Sequence, residues 1–356
     1  MSEQKVLREY NSLTKKVLKK YKRLSNLRII GMGGSVLGSE AIYDFLKPKI
    51  KKKITFINNL NSNADYFNNK NINLNLIISK SGNTLETIAN ANALITKKEK
   101  NIIITESKNS YLTNLAAKLK AEIFEHKNYV GGRYSVLSEV GMLPAELMNL
   151  NEKKFKQFNN LIKNKNFINN LVSNVSTTLN LIKSGKQTSI ILNYDEQSEN
   201  LFKWYQQLIA ESLGKKSLGL LPVVSSMPKD NHSVMQLYLD GFKNNFFTFF
   251  FSHENNSLKT NNKSVLPEQM YLKNKDINQI MYAQKKATEI VFKKKNIPFR
   301  SFEVRKRDEK TLGELFCFFI LETILIGKTL KVNPFDQPAV ELRKDLAKKI
   351  LANFYE

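Results

Sequence analysis

The sequence predicts an α/β protein made of two doubly wound, mainly parallel sheets, and three observations carry that expectation. Short apolar runs, turn residues and helical periodicity alternate through residues 27–125, the pattern of strands linked by crossover helices. A polar, Asn- and Lys-rich interval at 149–186 then interrupts the alternation, which resumes with a new strand at Thr188. Finally, 356 residues exceed what one ordinary core organises and fit two domains, here divided as 1–165 and 166–356.

Each element follows from local pattern. An amphipathic helix opens the chain over Glu3–Tyr21, followed by the apolar strand Leu27–Ile30, the glycine turn GMGGS and a helix over Ser39–Leu46. Strands are expected at Ile54–Ile57, Leu74–Ser79, Asn101–Thr105 and Glu122–Glu125, with helices at Thr84–Lys97 and Tyr111–Lys120. Parallel strands joined in this way need right-handed crossovers. The second half offers strands at Thr188–Leu192, Ser217–Val224, Asn245–Phe251 and Pro298–Val304. Its helices are expected at Glu199–Leu213, Ser233–Leu239, Ile277–Lys294, Thr311–Thr329 and Ala339–Phe354. The architecture recurs between the halves without sequence identity strong enough to be called a repeat.

Composition excludes several classes. Hydrophobic residues make up 42% and aromatics 10%, ample for packed interiors. The longest apolar stretch, Leu312–Ile326, is broken by Glu314, Glu322 and Thr323, so it reads as a buried helix and no membrane partner is expected. The opening residues MSEQKVLREYNSLTKK lack the apolar centre and small-residue cleavage site of a secretory leader, and a cytoplasmic location is expected. Cys317 is the only cysteine and lies within the apolar helix, which rules out disulfides or a cysteine-rich metal site within one chain. The net charge of +24 invites a nucleic-acid reading, yet only eight of the 56 basic residues are Arg, the residue base readout prefers. The basic runs at 47–53 and 293–295 sit near element ends, no nucleic-acid motif accompanies them, and no nucleic-acid partner is expected. Such a surface can still steer an anionic metabolite.

The run NLIISKSGNTLET, residues 75–87, holds the strongest functional signal. It places Ser79, Ser81 and Thr84, with Lys80 and the permissive Gly82, between a strand and the start of a helix whose first N–H groups are free to meet an anion. Thr87 follows on the same face of the first turn. The same residues would also serve as an ordinary helix cap. Upstream, RIIGMGGS departs from the dinucleotide spacing because Val36 stands where a third glycine would be required. Gly34 and Ser35 there suit either a backbone nest beside a sugar or tight helix–strand packing. Arg133 follows two glycines and is an isolated guanidinium among lysines, suited to an oxyanion or to a structural ion pair. Glu211 is a carboxylate beside the turn at Gly214, and His232, one of three histidines, stands at the entry of a short helix.

The S-x-S-G-x-T pattern at Ser79, Ser81, Gly82 and Thr84 resembles the phosphate loop of the sugar isomerase fold. The runs GGRYS (131–135), AESLGKK (210–216), DNHSVMQL (230–237) and FDQPAVELRKDLAKKI (335–350) then occur in the order found in the glucose-6-phosphate isomerase family, so the resemblance spans about residue 28 to the C-terminus. It implies two sugar-isomerase-type domains with an active site between them and an aldose–ketose isomerase that interconverts glucose 6-phosphate and fructose 6-phosphate. Ring opening and proton transfer through an enediolate would need no metal and no cofactor. By resemblance, Glu211 is the base, Arg133 stabilises the oxyanion, and His232 and Lys344 open the ring. Gly34, Ser35, Ser79, Lys80, Ser81, Thr84, Thr87 and Gln337 would bind the sugar phosphate. In the family this histidine reaches the neighbouring subunit's site, which implies a homodimer. The chain departs from the family at Pro338 and Ala339, where Trp-Gly is common, and at SSMPKDN before the histidine. Asn231 stands where strict glucose isomerases often have Gln and dual enzymes Thr. A dual phosphoglucose/phosphomannose isomerase and a non-catalytic sugar-phosphate sensor are the alternatives.

Overall fold

The computed structural model describes residues 18–62, 72–96, 98–253 and 257–354. Of the opening helix, 18–21 are helical and the remainder lies outside the described residues. Two sheets form, each with parallel pairing throughout. The first contains β1 (Asn26–Gly31), β2 (Lys53–Ile57), β3 (Leu74–Ile78), β4 (Lys100–Thr105) and β5 (Glu122–Glu125), in the order β2-β1-β3-β4-β5. The second contains β6 (Thr188–Asn193), β7 (Leu221–Ser226), β8 (Asn245–Ser252) and β9 (Phe299–Val304), in the order β7-β6-β8-β9. Both sheets therefore reverse direction next to their first strand, between β1 and β3 and between β6 and β8.

Every residue of β3 and of β8 is buried, as expected for strands covered on both faces. The pleat sends alternate residues to opposite faces. Ile29, Leu76 and Ile78 enter the large core, whereas Ile30, Ile77 and Ile103 pack beneath the helices Leu85–Leu94 and Tyr111–Leu119. The large core continues from the first sheet into Ile191, Phe246 and Phe250 of the second, bridged by the helices Leu37–Phe45, Glu199–Leu213 and Glu309–Thr329. Trp204 of the central bridging helix meets Phe316 edge-on at 4.8 Å, and Phe202 meets Phe250 at 4.9 Å. On the far face of the second sheet, Phe247 and Phe249 pack on Phe292.

Two local expectations need correction, and one helix was not expected. The segment Ser217–Leu220 does not extend β7, because Lys216, Ser217 and Gly219 all take positive φ and close a turn through a Lys215–Leu218 bridge. The terminal helix starts at Glu341, after a 3-10 turn at Pro338–Val340. An unforeseen helix, Glu139–Leu147, follows the 3-10 segment Gly132–Leu137. It is buried at every position from Val140 to Leu147 and carries Pro144, so no amphipathic period marks it.

Candidate active site

A cleft of about 400 Å³ opens at the carboxyl ends of β1, β3 and β4, the crevice where ligands bind in open parallel sheets. Its walls come from six stretches of sequence: the turns after β1, β3 and β4, the 131–133 turn, the end of Glu199–Leu213 and the C-terminal segment.

The β3 turn is shaped by Gly82, whose φ of +69° suits a residue without Cβ and whose added Cβ would lie 2.2 Å from Ser110 Oγ. Around it, Ser79 Oγ and Thr84 Oγ1 are 2.9 Å apart, and Asn83 N–H donates to Ser81 Oγ at 3.2 Å. Thr84 caps the helix Leu85–Leu94 without a side-chain bond to it, so the first-turn N–H groups keep their affinity for an anion. Lys80, Ser81 and Thr84 line the cleft. Ser79 and Thr87 do not: both are buried behind it, and Thr87 Oγ1 has no hydrogen-bond partner among the described residues. Burial lowers the pKa of Lys80, while Glu106, 3.8 Å away, opposes that shift. Glu106 also pairs with Lys108, and both line the same wall.

The turn after β1 brings Gly34 and Ser35 to the cleft. Gly34 is there for close approach: a Cβ on it would lie 2.3 Å from Gly132 C and 2.6 Å from Arg133 N. The two glycine turns are thus stacked backbone on backbone, which sets the height of Arg133.

Arg133 is 3% exposed, and all of its guanidinium nitrogens are engaged. Nε donates to Ser212 Oγ at 2.9 Å, and Nη2 donates to the carbonyls of Pro334 at 2.6 Å and Asp336 at 2.8 Å. Nη1 faces the cleft, donating to Glu211 Oε2 at 3.2 Å and to Gln337 Oε1 at 3.3 Å. A planar fork of this kind holds three chain segments in one geometry. Glu211 sits in the last turn of its helix, which Gly214 ends by donating its N–H to Ala210 O at 2.9 Å. The other carboxylate oxygen, Oε1, accepts from Gln207 Nε2 at 2.9 Å.

The structure therefore gathers Gly34, Ser35, Lys80, Ser81, Thr84, Arg133, Glu211, Gln337 and Lys344 around one cleft. Lys344 reaches it from the exposed terminal helix, with Nζ on Glu341 Oε1 at 2.7 Å. His232 is not in the lining: it is exposed on the 3-10 turn Lys229–His232, which Asp230 anchors by accepting from Ser225 Oγ at 2.9 Å and Ser226 N–H at 2.8 Å. Sequence reading missed Gln207, Glu106 and Lys108. Gln207 was within reach of it, since it lies one helical turn before Glu211 on the same face. Among the described residues, no group of three His, Cys, Asp or Glu is placed to hold a metal, and no helix is long and apolar enough to cross a membrane.

Residues 5–222 match the family described as phosphoglucose isomerase. The chain is 32% identical to the glucose-6-phosphate isomerase of Methanocaldococcus jannaschii, over 94% of this chain and 87% of that one. It is also 32% identical to the glucose-6-phosphate isomerase of Mycoplasmopsis pulmonis, over 91% and 82%. Among solved structures, a hypothetical protein from Thermus thermophilus superposes with a TM-score of 0.85 at 23% identity, covering 97% of this chain and 89% of that one. A glucose-6-phosphate isomerase from Chlamydia trachomatis gives 0.74 at 20% identity, covering 99% and 74%. With the fold, the cleft and a sequence match of this extent in agreement, the chain belongs to the phosphoglucose isomerase family.

Proposed function

We propose that this protein interconverts glucose 6-phosphate and fructose 6-phosphate, a step of glycolysis and gluconeogenesis, by ring opening followed by enediolate proton transfer. The observation that carries the reading is the placement of Glu211 and the hydroxyl loop on walls of one cleft, with Arg133 Nη1 beside the carboxylate. The phosphate belongs on Lys80, Ser81, Thr84 and the N–H groups behind them, with Ser79 and Thr87 buttressing the loop. Binding energy from this remote group then holds the first two sugar carbons against Glu211. Glu211 takes the proton from one carbon and returns it to the other, its orientation fixed by Gln207 and Arg133. The Nη1 edge of Arg133 and the amide of Gln337 face the developing oxyanion. Gly34 and Ser35 meet the sugar.

Lys344 and His232 serve ring opening, Lys344 from its own chain and His232 from a second copy. An exposed histidine on a rigid, Asp230-anchored turn outside its own cleft suits a residue offered to a neighbour. A homodimer in the cytoplasm follows from this reading, with domains of 1–165 and 166–356 flanking the cleft. A coupled assay of purified protein with fructose 6-phosphate, with and without a chelator, tests the activity. Turnover is expected in both, and the absence of turnover would refute it. Glu211→Gln should lower kcat by roughly 10²–10⁴-fold while 5-phosphoarabinonate still binds. Unchanged turnover would overturn the base assignment. Mannose 6-phosphate turnover at a comparable rate would widen the substrate range.

A further inference from the structure

The second sheet repeats the topology of the first. β6 takes the place of β1, β7 of β2, β8 of β3 and β9 of β4, so the reversal between β6 and β8 corresponds to the one that holds the proposed active site. At the carboxyl ends of these strands lies another cleft, of about 780 Å³, within the size range of small-molecule sites. Glu196 and Gln197 follow β6, His253 follows β8, and Arg305, Lys306 and Arg307 follow β9, all in its lining.

The electrostatics of this cleft are uneven. Arg307 is committed to the structure, with Nη2 on Asp195 Oδ1 at 2.9 Å and Nη1 on Phe45 O at 3.2 Å. Lys49 is held by Glu309 at 2.8 Å, and His253 Nε2 lies 3.5 Å from Glu303 Oε2. Arg305, by contrast, is exposed and has no hydrogen bond or ion pair among the described residues. Its exposed neighbour Lys306 pairs, among the described residues, only with Asp308 at 3.3 Å. Among the described residues, Glu196 is the sole carboxylate in the lining. Next to it, Gln197 Oε1 is shielded from water and has no hydrogen-bond partner among the described residues. An apolar part of the lining is formed by Leu46, Pro48, Leu258, Ile277 and Met281.

We propose that this cleft is a second ligand site, for an organic phosphate that carries a flat ring and is about the size of a nucleoside monophosphate. The phosphate would be held by Arg305 and Lys306 at the end of β9. The ring would lie on Ile277 and Met281, and a ring or sugar donor would satisfy Gln197 Oε1. A bare sugar phosphate has no group for the apolar wall, which separates this site from the cleft at Glu211. Because helix Leu37–Phe45 ends in this cleft at Leu46 and begins beside the glycine turn of Gly34, occupancy would bear on the same element that shapes the proposed active site.

Calorimetric titration of the full chain with adenosine, guanosine and uridine 5′-monophosphates tests this, with adenosine, inorganic phosphate and fructose 6-phosphate as comparison probes. At least one nucleotide should bind, and at least about tenfold more tightly than its nucleoside or inorganic phosphate. Arg305→Ala/Lys306→Ala should weaken that binding about tenfold or more while fructose 6-phosphate binding stays unchanged. Ile277→Asp, which sets a carboxylate in the apolar wall, should also weaken it. The proposal is overturned if no nucleotide binds up to about 10 mM, if the double variant binds as tightly as the parent, or if 5-phosphoarabinonate displaces the nucleotide.

Discussion

Replacing Gly34 by alanine tests whether the stacked glycine turns set the geometry of the cleft. The new Cβ would lie 2.3 Å from Gly132 C, 2.5 Å from Gly132 O and 2.6 Å from Arg133 N, whereas ordinary contact begins at 3.4 Å. The turns must therefore part by about 1 Å, the difference between 3.4 and 2.3 Å. The obstructing atoms are backbone, so no side-chain rotation relieves the clash. Overpacking of this kind costs about 1–3 kcal/mol in stability. Arg133 moves with its turn, and a displacement of about 1 Å in positioned groups can cost on the order of 10²-fold in rate. Urea unfolding should show a lower midpoint with an unchanged slope. The coupled assay, run where the variant is fully folded, should show kcat reduced by about two orders of magnitude. Parental kcat with parental stability would show that the stacked turns do not set the geometry of the cleft. Lost stability with parental kcat would show that the stack supports the fold and not the position of Arg133.

Three further outcomes follow from the same structure. Burial, then the neighbouring Asp44, pushes the Glu40 carboxyl up to about 7, against the hydrogen bond from Asn58 at 2.6 Å. The folded state then keeps a proton that the unfolded chain releases, so stability falls as pH rises from about 4.5 to about 7 and is level above that, a span worth roughly 3 kcal/mol. Asp44, also raised chiefly by burial, acts in the same direction. Glu40→Gln should flatten this slope in urea titrations at pH 5 and pH 8, and an unchanged slope would dismiss Glu40 as its source. Arg300, paired with the fully buried Glu322 and bonded to Tyr205 Oη at 3.0 Å, ties the second sheet to its bridging helices. Arg300→Met should cost about 3–5 kcal/mol by stranding that carboxylate, and adding Glu322→Leu should recover most of the loss, both read from unfolding midpoints. Finally, inactive Glu211→Gln and His232→Ala chains mixed and reassociated should regain about a quarter of parental activity, since each mixed dimer restores one composite site. No recovery would place His232 outside the neighbour's site.

Local chemistry made much of the fold legible. Strands such as β3 and β8 read as continuous apolar runs, because a strand buried on both faces has no polar side to display. The hydroxyl loop was equally plain, since one segment supplies the strand end, the turn glycine and the helix start. What escaped were features without a period or partner nearby in sequence. Helix Glu139–Leu147 is buried all round, and positive φ values at Lys216, Ser217 and Gly219 removed the start of a run that otherwise looked like a strand.

The residue types available to the cleft, and the order of strand, turn and helix that carries them, were already written in the primary structure. Those depend on side-chain chemistry and backbone propensity within a few residues. Packing in three dimensions was needed to bring Gly34 onto Gly132, to commit the fork of Arg133 to Ser212, Pro334 and Asp336 while turning Nη1 to Glu211, and to leave His232 outside its own cleft. Such contacts join positions 78 to 203 residues apart, and they exist only once a shared core has locked the two sheets together.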